Sequence, residues 1–281
     1  MAKKATLNMQ QMPKSEAFQS CFVARPGHVI VQLDFNSIED VVLTEASEDP
    51  AMFKIYGPNV ACNDGYLFIG ANIPSLATNI RKYYDPDNPT EAGIEAAKIH
   101  CKSERKASKI VKLASTYGAY PRMIQGRLAA AGFPVSFEQA EAIWTAYWEL
   151  FAGISEFKES LYVEWRNNGG WFYNGTGRPV GLDERKTKDF VNQYCQSTAH
   201  DLLVIYMWHI NRLRKERKVP MWAWIPDWHD ESMFECPTGA KEEAKQVLID
   251  ALVCLNEEAG GVIEIKGGPC EGFTLWDIKK Q

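Results

Sequence analysis

A β-branched, apolar run, Val29-Ile30-Val31-Gln32-Leu33-Asp34-Phe35, stands near the start of this chain, and runs of similar character at 221–225, 232–236 and 262–266 stand near its end. Each reads as a strand, and the first barely alternates, as expected of a strand covered on both faces. Between the first run and the rest the pattern is helical, over 37–47, 91–117, 137–165 and 188–218, with a further helix at 241–259. Residues 57–90 are rich in Gly, Pro, Asn and Asp and read as loops around short helices. Trp171-Phe172-Tyr173 and Gly177-Arg178-Pro179-Val180 suggest a short hairpin. Strands at both ends and helices in the middle predict an α+β fold, an antiparallel sheet interrupted by a helical insertion.

The bulk composition narrows the class. With 281 residues, 46% hydrophobic and 24% charged, the chain is long and apolar enough for a buried core. A formal net charge of -5 argues against indiscriminate binding to nucleic acid. It leaves room for a local basic groove, because exposed charges are screened beyond about 8–10 Å at physiological salt. The 7 cysteines contain no CxxC pair, which predicts free thiols in a reducing compartment and gives no zinc spacing. No apolar run has the length to span a bilayer and the start lacks a signal core, so a cytoplasmic protein with no membrane partner is expected.

Two carboxylates stand at strand ends far apart in sequence, Asp34 after the first strand run and Asp230 in His229-Asp230-Glu231 at a hairpin turn. If those strands are neighbours, both side chains converge on one point, where carboxylate oxygens can hold hard divalent ions. A pair of such ions about 3.5–4 Å apart stabilises the attacking and leaving oxygens of an in-line displacement. Taken singly, each Asp is also an ordinary turn residue. Lys98, Lys102, Arg105, Lys109 and Lys112 are spaced 4, 3, 4 and 3, which puts them on one face of a continuous helix. Glu95 and Glu104 are the only acids close by in sequence. A solvated surface face and an anion site, for a triphosphate or a nucleic-acid backbone, both fit that stripe.

These segments together resemble the three core motifs of the family A DNA polymerases. The first motif matches at Asp34-Phe35-Asn36-Ser37-Ile38-Glu39, the second at Arg105, Lys109, Tyr117 and Gly118, and the third at His229-Asp230-Glu231. Lesser matches occur at Asn8-Met9-Gln10-Gln11-Met12-Pro13, at Asn192, Gln196, Thr198, Ala199 and Asp201, and at the terminal Trp276-Asp277. The resemblance implies an antiparallel palm sheet in two pieces, 1–41 and 171–281, with a fingers insertion at 42–170 and no thumb or exonuclease domain in this sequence. It also implies template-directed DNA synthesis from dNTPs on a primer–template. Asp34 and Asp230, together with Phe35, would then hold two Mg2+ ions, and Glu231 would support the metal site and the primer end. Arg105 and Lys109 would hold the triphosphate, with Lys109 as general acid for the leaving pyrophosphate. Phe35, Leu113 and Tyr117 would complete the nucleotide site, and Glu39 would bar a ribose 2′-hydroxyl. Asn192, Gln196, Lys188, His229 and Gly118 would contact DNA. A second polypeptide supplying thumb or exonuclease is the implied partner.

The departures are specific. Leu113 stands where the family has an aromatic ring that packs on the nucleotide sugar, and Asp40-Val41 replaces an apolar-Arg pair. Lys188 stands in place of Arg and gives up its bidentate geometry. Tyr66, after Asp64-Gly65, aligns with a position usually given to His. Other readings of the set are a non-catalytic nucleic-acid-binding or assembly subunit, a single-subunit RNA polymerase relative and a two-metal nuclease. Retention of Asp34, Asp230, Arg105 and Lys109 argues against the first, Glu39 against the second, and the basic helix ending in Tyr-Gly against the third.

Overall fold

The computed structural model describes Pro13, residues 15–228 and residues 231–279, excluding the side chains of 186–188, 225–228, 231 and 279. The chain runs through α1 (Glu16–Gln19), β1 (His28–Phe35), α2 (Ile38–Ser47), α3 (Pro50–Tyr56), α4 (Gly65–Asn72), α5 (Pro74–Ile80), α6 (Glu91–His100) and α7 (Lys102–Thr116). It continues through α8 (Pro121–Ala130), α9 (Phe137–Leu150), α10 (Ala152–Asn167), β2 (Trp171–Tyr173), β3 (Pro179–Gly181) and α11 (Phe190–Glu216). It ends with β4 (Trp222–Trp228), β5 (Glu231–Pro237), α12 (Lys241–Ala259), β6 (Gly267–Gly272) and α13 (Leu275–Lys279). The fold is α+β, with an antiparallel sheet in the order β4-β5-β1-β6 and a separate β2-β3 hairpin. Two compact units result, a sheet unit of Met1–Ile38 with Ala199–Gln281 and a helical unit of Glu39–Thr198. The helical unit takes in the β2-β3 hairpin and the first turns of α11, which the sequence reading grouped with the sheet.

In the sheet unit, β1 is the central strand, flanked by β5 and β6. Val29, Ile30, Val31, Leu33 and Phe35 are all buried, which explains the nearly unbroken apolar run. Period-2 alternation sends Ile30, Gln32 and Asp34 to one face and Val31, Leu33 and Phe35 to the other. Ile30 joins Met233 of β5 and Leu275 and Ile278 of α13 in one cluster. On the opposite face the Phe35 ring packs against Tyr206 of α11, centroids 5.0 Å apart. The Tyr206 hydroxyl in turn donates to the Leu248 carbonyl of α12.

The last strand does not fall at 262–266. Instead Asn256 braces that segment, its Nδ2 donating to the Ile265 carbonyl and its Oδ1 accepting the Ile265 amide, while Ile263 and Ile265 are buried. The strand is β6, Gly267-Gly268-Pro269-Cys270-Glu271-Gly272, which pairs with β1 at the sheet edge. An edge tolerates Pro269, since its missing N–H need not join a ladder. Gly267 is required by proximity, because a Cβ there would meet the Asp34 carbonyl at 2.7 Å.

In the helical unit, the expected helix over 91–117 is two helices. Cys101 leaves helical geometry at φ -119°, ψ 37°, and its buried thiol points at the Asn79 carbonyl. Lys98 therefore lies on α6 with Glu95 as its ion-pair partner, and the five cations do not form one stripe. The second break, at Phe151, divides α9 from α10, where Asp49 both caps α3 and accepts the Gly153 amide. None of the seven cysteines forms a disulfide. No helix among the described residues is long and apolar enough to cross a membrane.

Candidate active site

The end of β1 carries the first group of candidates. Asp34, penultimate in the strand, is exposed on the face it shares with Ile30 and Gln32. In the β1–β5 ladder its register partner is Glu231, so the first and third motifs meet at adjoining strand ends. His229 and Asp230 lie outside the described residues, as does the Glu231 side chain. Phe35 is buried, so its main-chain carbonyl rather than its ring is what it can offer an ion or a nucleotide. The donors at this strand end are oxygens, which suits a hard divalent cation such as magnesium. Among the described residues no group of three or more His, Cys, Asp or Glu is gathered to hold a metal ion.

After Phe35 the chain turns sharply into α2. Ser37 sits at φ 52°, a left-handed conformation uncommon for a residue with a Cβ and concentrated at functional turns. Glu39 and Asp40 follow in the first turn of α2, where the helix dipole favours negative charge. Both reach α7. The Tyr117 hydroxyl donates to Glu39 Oε2 at 2.7 Å, and burial, followed by the Glu39 charge, pushes the Tyr117 phenol upward. Lys112 donates to Asp40 and, at 3.1 Å, to the Tyr56 hydroxyl, which itself donates to Asp40 Oδ2 at 2.7 Å. Burial, then the Asp40 carboxylate, holds the Tyr56 phenol well above its ordinary range. The buried Cys195 thiol of α11 is raised by burial and next by the Glu39 and Asp40 charges.

Arg105 and Lys109 lie one turn apart on α7. The Arg105 guanidinium donates from Nε and Nη2 to Asp64 Oδ2 at 3.0 and 2.8 Å. Asp64 also caps α4, its Oδ1 accepting the Tyr66 and Leu67 amides. Arg105, Lys109 and Lys112 all lie over the Tyr66 ring, 5.1, 5.4 and 5.3 Å from its centroid. The acidic partners missing near the stripe in sequence thus exist in space, 41 and 72 residues away at Asp64 and Asp40. Lys109 has no carboxylate partner among the described residues and is a cation available to an external anion. Leu113 is partly exposed on the same helix. Gly118, at φ 77°, ends α7 in a Schellman turn, with Ala119 N–H to the Ala114 carbonyl and Gly118 N–H to the Ser115 carbonyl. That turn fixes where Tyr117 leaves the helix.

The candidate duplex contacts lie on α11. Asn192 and Gln196 are four residues apart on one helix face; Gln196 is exposed, and Asn192 Oδ1 is buried with no hydrogen-bond partner among the described residues. Beside them the hairpin turn leans on the helix, Gly175 N–H donating to Thr198 Oγ1 and Asn174 Nδ2 to Ser197 Oγ. The Lys188 side chain lies outside the described residues. Asp64 contacts Arg105, and Asp40 and Tyr56 contact Lys112; none of the three was given a role from sequence pattern. Their only sequence signals are Asp64 as a cap before an apolar helix and Asp40 as a departure from the first motif.

The profile of DNA polymerase family A matches residues 3–258. The chain is 25% identical over 195 residues to the DNA polymerase of Mycobacterium phage D29, covering 69% of this chain and 27% of that protein. It is 22% identical over 258 residues to DNA polymerase I of Treponema pallidum (strain Nichols), covering 86% of this chain and 23% of that protein. It spans about a quarter of the length of either relative. In fold it is similar to the POL domain of Pol1 from M. smegmatis, solved in complex with DNA primer-template and dNTP, with a TM-score of 0.75 at 17% identity over 97% of this chain and 45% of that one. The match across nearly the whole chain, over strand-end carboxylates and a basic helix in the expected order, establishes that this chain belongs to DNA polymerase family A.

Proposed function

We propose that this chain is the palm-and-fingers portion of a DNA-directed DNA polymerase and adds dNTPs to a primer 3′ end. The observation that carries the reading is the β1–β5 register, in which Asp34 faces Glu231, next in sequence to Asp230. Strand pairing thereby joins two carboxylate motifs that are distant in sequence. Asp34, Asp230 and the Phe35 carbonyl would hold divalent magnesium, which when bound supplies charge stabilisation at the attacking and leaving oxygens. Glu231 and His229 serve the primer end. The primer 3′-hydroxyl gives up its proton to solvent as its oxygen attacks the α-phosphorus, the bond from that phosphorus to the β-phosphate oxygen breaks, and pyrophosphate leaves. Lys109 grips the triphosphate and donates a proton to that leaving group, and Arg105 binds the phosphates when it exchanges Asp64 for them. Leu113 and Tyr117 line the base and sugar, with Glu39 set against a 2′-hydroxyl. Asn192 and Gln196, with Lys188 and Gly118, touch the duplex; the unpartnered Asn192 Oδ1 accords with an outside donor. A second polypeptide supplying a thumb adds further duplex contacts.

The test is single-nucleotide primer extension by the parent and by Asp34→Ala, with circular dichroism and melting to establish that the variant folds. Asp34→Ala is expected to lose extension by at least about 100-fold, as removal of an interaction made only in the transition state does. Extension by Asp34→Ala at the parental rate overturns the proposal. So does a folded parent that binds primer–template and a matched dNTP yet never extends.

A further inference from the structure

Two ties join α7 to α2, and only one of them involves a residue given a role above. Tyr117 holds Glu39; Lys112, five residues earlier, holds the adjacent Asp40 together with Tyr56. The Lys112 and Asp40 side chains keep 8% and 20% of their exposure, so this ion pair is largely withdrawn from water. Removing two charges from water costs about what their attraction returns, so such a pair adds little stability; fixing a particular geometry is its better-attested use. Glu39 and Asp40 project about 100° apart around α2. A single tie would leave α2 able to roll against α7, whereas ties at both residues fix its rotation and hence the direction of the Glu39 carboxylate. That direction matters more here than in a chain with an aromatic ring at position 113, because Leu113 presents no ring to the sugar.

We propose that Asp40, Lys112 and Tyr56 are positioning residues for sugar selection, locking α2 against α7 so that Glu39 is aimed at the 2′ position of the incoming nucleotide. This rests on the reading of Glu39 given above. Lys112 acts through Asp40 and is not a phosphate ligand, although it lies on the same helix as Arg105 and Lys109. Asp40, which stands where the family has an apolar residue, is the other half of the device.

The experiment compares the full chain with Lys112→Leu, with the double variant Asp40→Leu/Lys112→Leu and with the exchanged pair Asp40→Lys/Lys112→Asp. The apolar double variant guards against simple misfolding, since apolar residues replace a buried ion pair at little cost. Two readouts are taken. One is the ratio of dNTP to rNTP kcat/KM in primer extension. The other, independent of activity, is the NMR signal of Tyr117 in protein labelled on tyrosine, assigned by Tyr117→Phe. In the folded double variant the Tyr117 signal is expected to shift, and the dNTP:rNTP ratio to fall about tenfold, chiefly through a lower rNTP KM. The exchanged pair is expected to recover part of the ratio. A folded double variant with the parental Tyr117 signal overturns the proposal whatever the activity. So does a parental sugar ratio in that variant. If the parent itself does not discriminate sugars, the reading of Glu39 fails, and the Tyr117 signal alone decides whether the pair sets the α2–α7 geometry.

Discussion

Lys109 and Lys98 belong to the same sequence spacing, yet their surroundings differ. Lys98 pairs with Glu95 on α6 at the surface, an i,i+3 contact of the kind that contributes a few tenths of a kcal/mol. Lys109 stands on α7 over the Tyr66 ring with no carboxylate partner among the described residues. Lys109→Ala is expected to lower kcat/KM for dNTP by about 10- to 100-fold, the size of a lost charge-assisted hydrogen bond of about 1.5–3 kcal/mol. Lys98→Ala is expected to change it less than about twofold. Steady-state extension kinetics on both variants test this, and equal losses would make the basic residues a diffuse field rather than a site. At Glu39 the side chain is fixed by the Tyr117 hydroxyl, so Glu39→Ala is expected to raise ribonucleotide incorporation about tenfold or more relative to dNTP. An unchanged dNTP:rNTP ratio would remove Glu39 from the selection of sugar. The motif residues were legible because their order and spacing survive in sequence. Their counter-ions were not, because nothing local links Arg105 to Asp64 or Lys112 to Asp40, and pairing across such separations is decided by packing.

Helix ends decide how these residues are presented. Asp64 does two jobs with its two oxygens: Oδ1 caps α4 and Oδ2 holds Arg105 on α7. Asn retains the capping oxygen and loses the ion pair, whereas Ala loses both. Asp64→Ala is therefore expected to destabilise the chain by about 1 kcal/mol more than Asp64→Asn, the usual worth of a cap. Urea unfolding of the two variants measures the difference, and equal losses would mean the cap contributes nothing beyond the ion pair. The elements themselves were largely readable: β1, α2, the β2-β3 hairpin, β5 and α12 follow directly from apolar period and turn residues. Two were not. The break at Cys101 carries no Pro or Gly, and a buried thiol on a distant carbonyl leaves no local signature. The run at 262–266 has the composition of a strand, yet the Asn256 side chain takes the main-chain groups of Ile265. A Gly-Pro segment pairs with β1 instead, because close approach to the Asp34 carbonyl excludes a Cβ at Gly267.

Across the whole molecule the chain passes between its units twice, within α2 after Ile38 and within α11 after Thr198. The sheet unit is laced by ion pairs that join its elements. Arg25 binds Glu235 of β5, Lys241 and Lys245 of α12 bind Glu271 of β6, and Arg217 after α11 binds Asp250 of α12. Hydrogen bonds from Lys241 and then Lys245 hold the Glu271 carboxyl below its usual range. At Glu235 burial is the largest single influence and pushes upward, but the Arg25 main-chain amide and guanidinium together outweigh it and leave the group lowered. Asp250 follows the same balance, with burial opposed and overcome by Arg217 and Gln246. A carboxyl lowered in the folded state binds fewer protons folded than unfolded over the interval between its two pKa values. Its contribution is fully present above the unfolded pKa, about 4 for Asp and Glu, and is lost as pH falls through the folded value. The sheet unit is thus expected to weaken as pH drops below about 5. Glu271→Gln should reduce that slope, because the titrating group is gone, and should lower stability at neutral pH. The measurement is amide exchange of β6 and α12 at pH 7, 5 and 3.5 in the parent and in Glu271→Gln. Parallel pH dependences in the two proteins would show that Glu271 adds nothing to the acid response and that the clamp between α12 and β6 is held by packing alone.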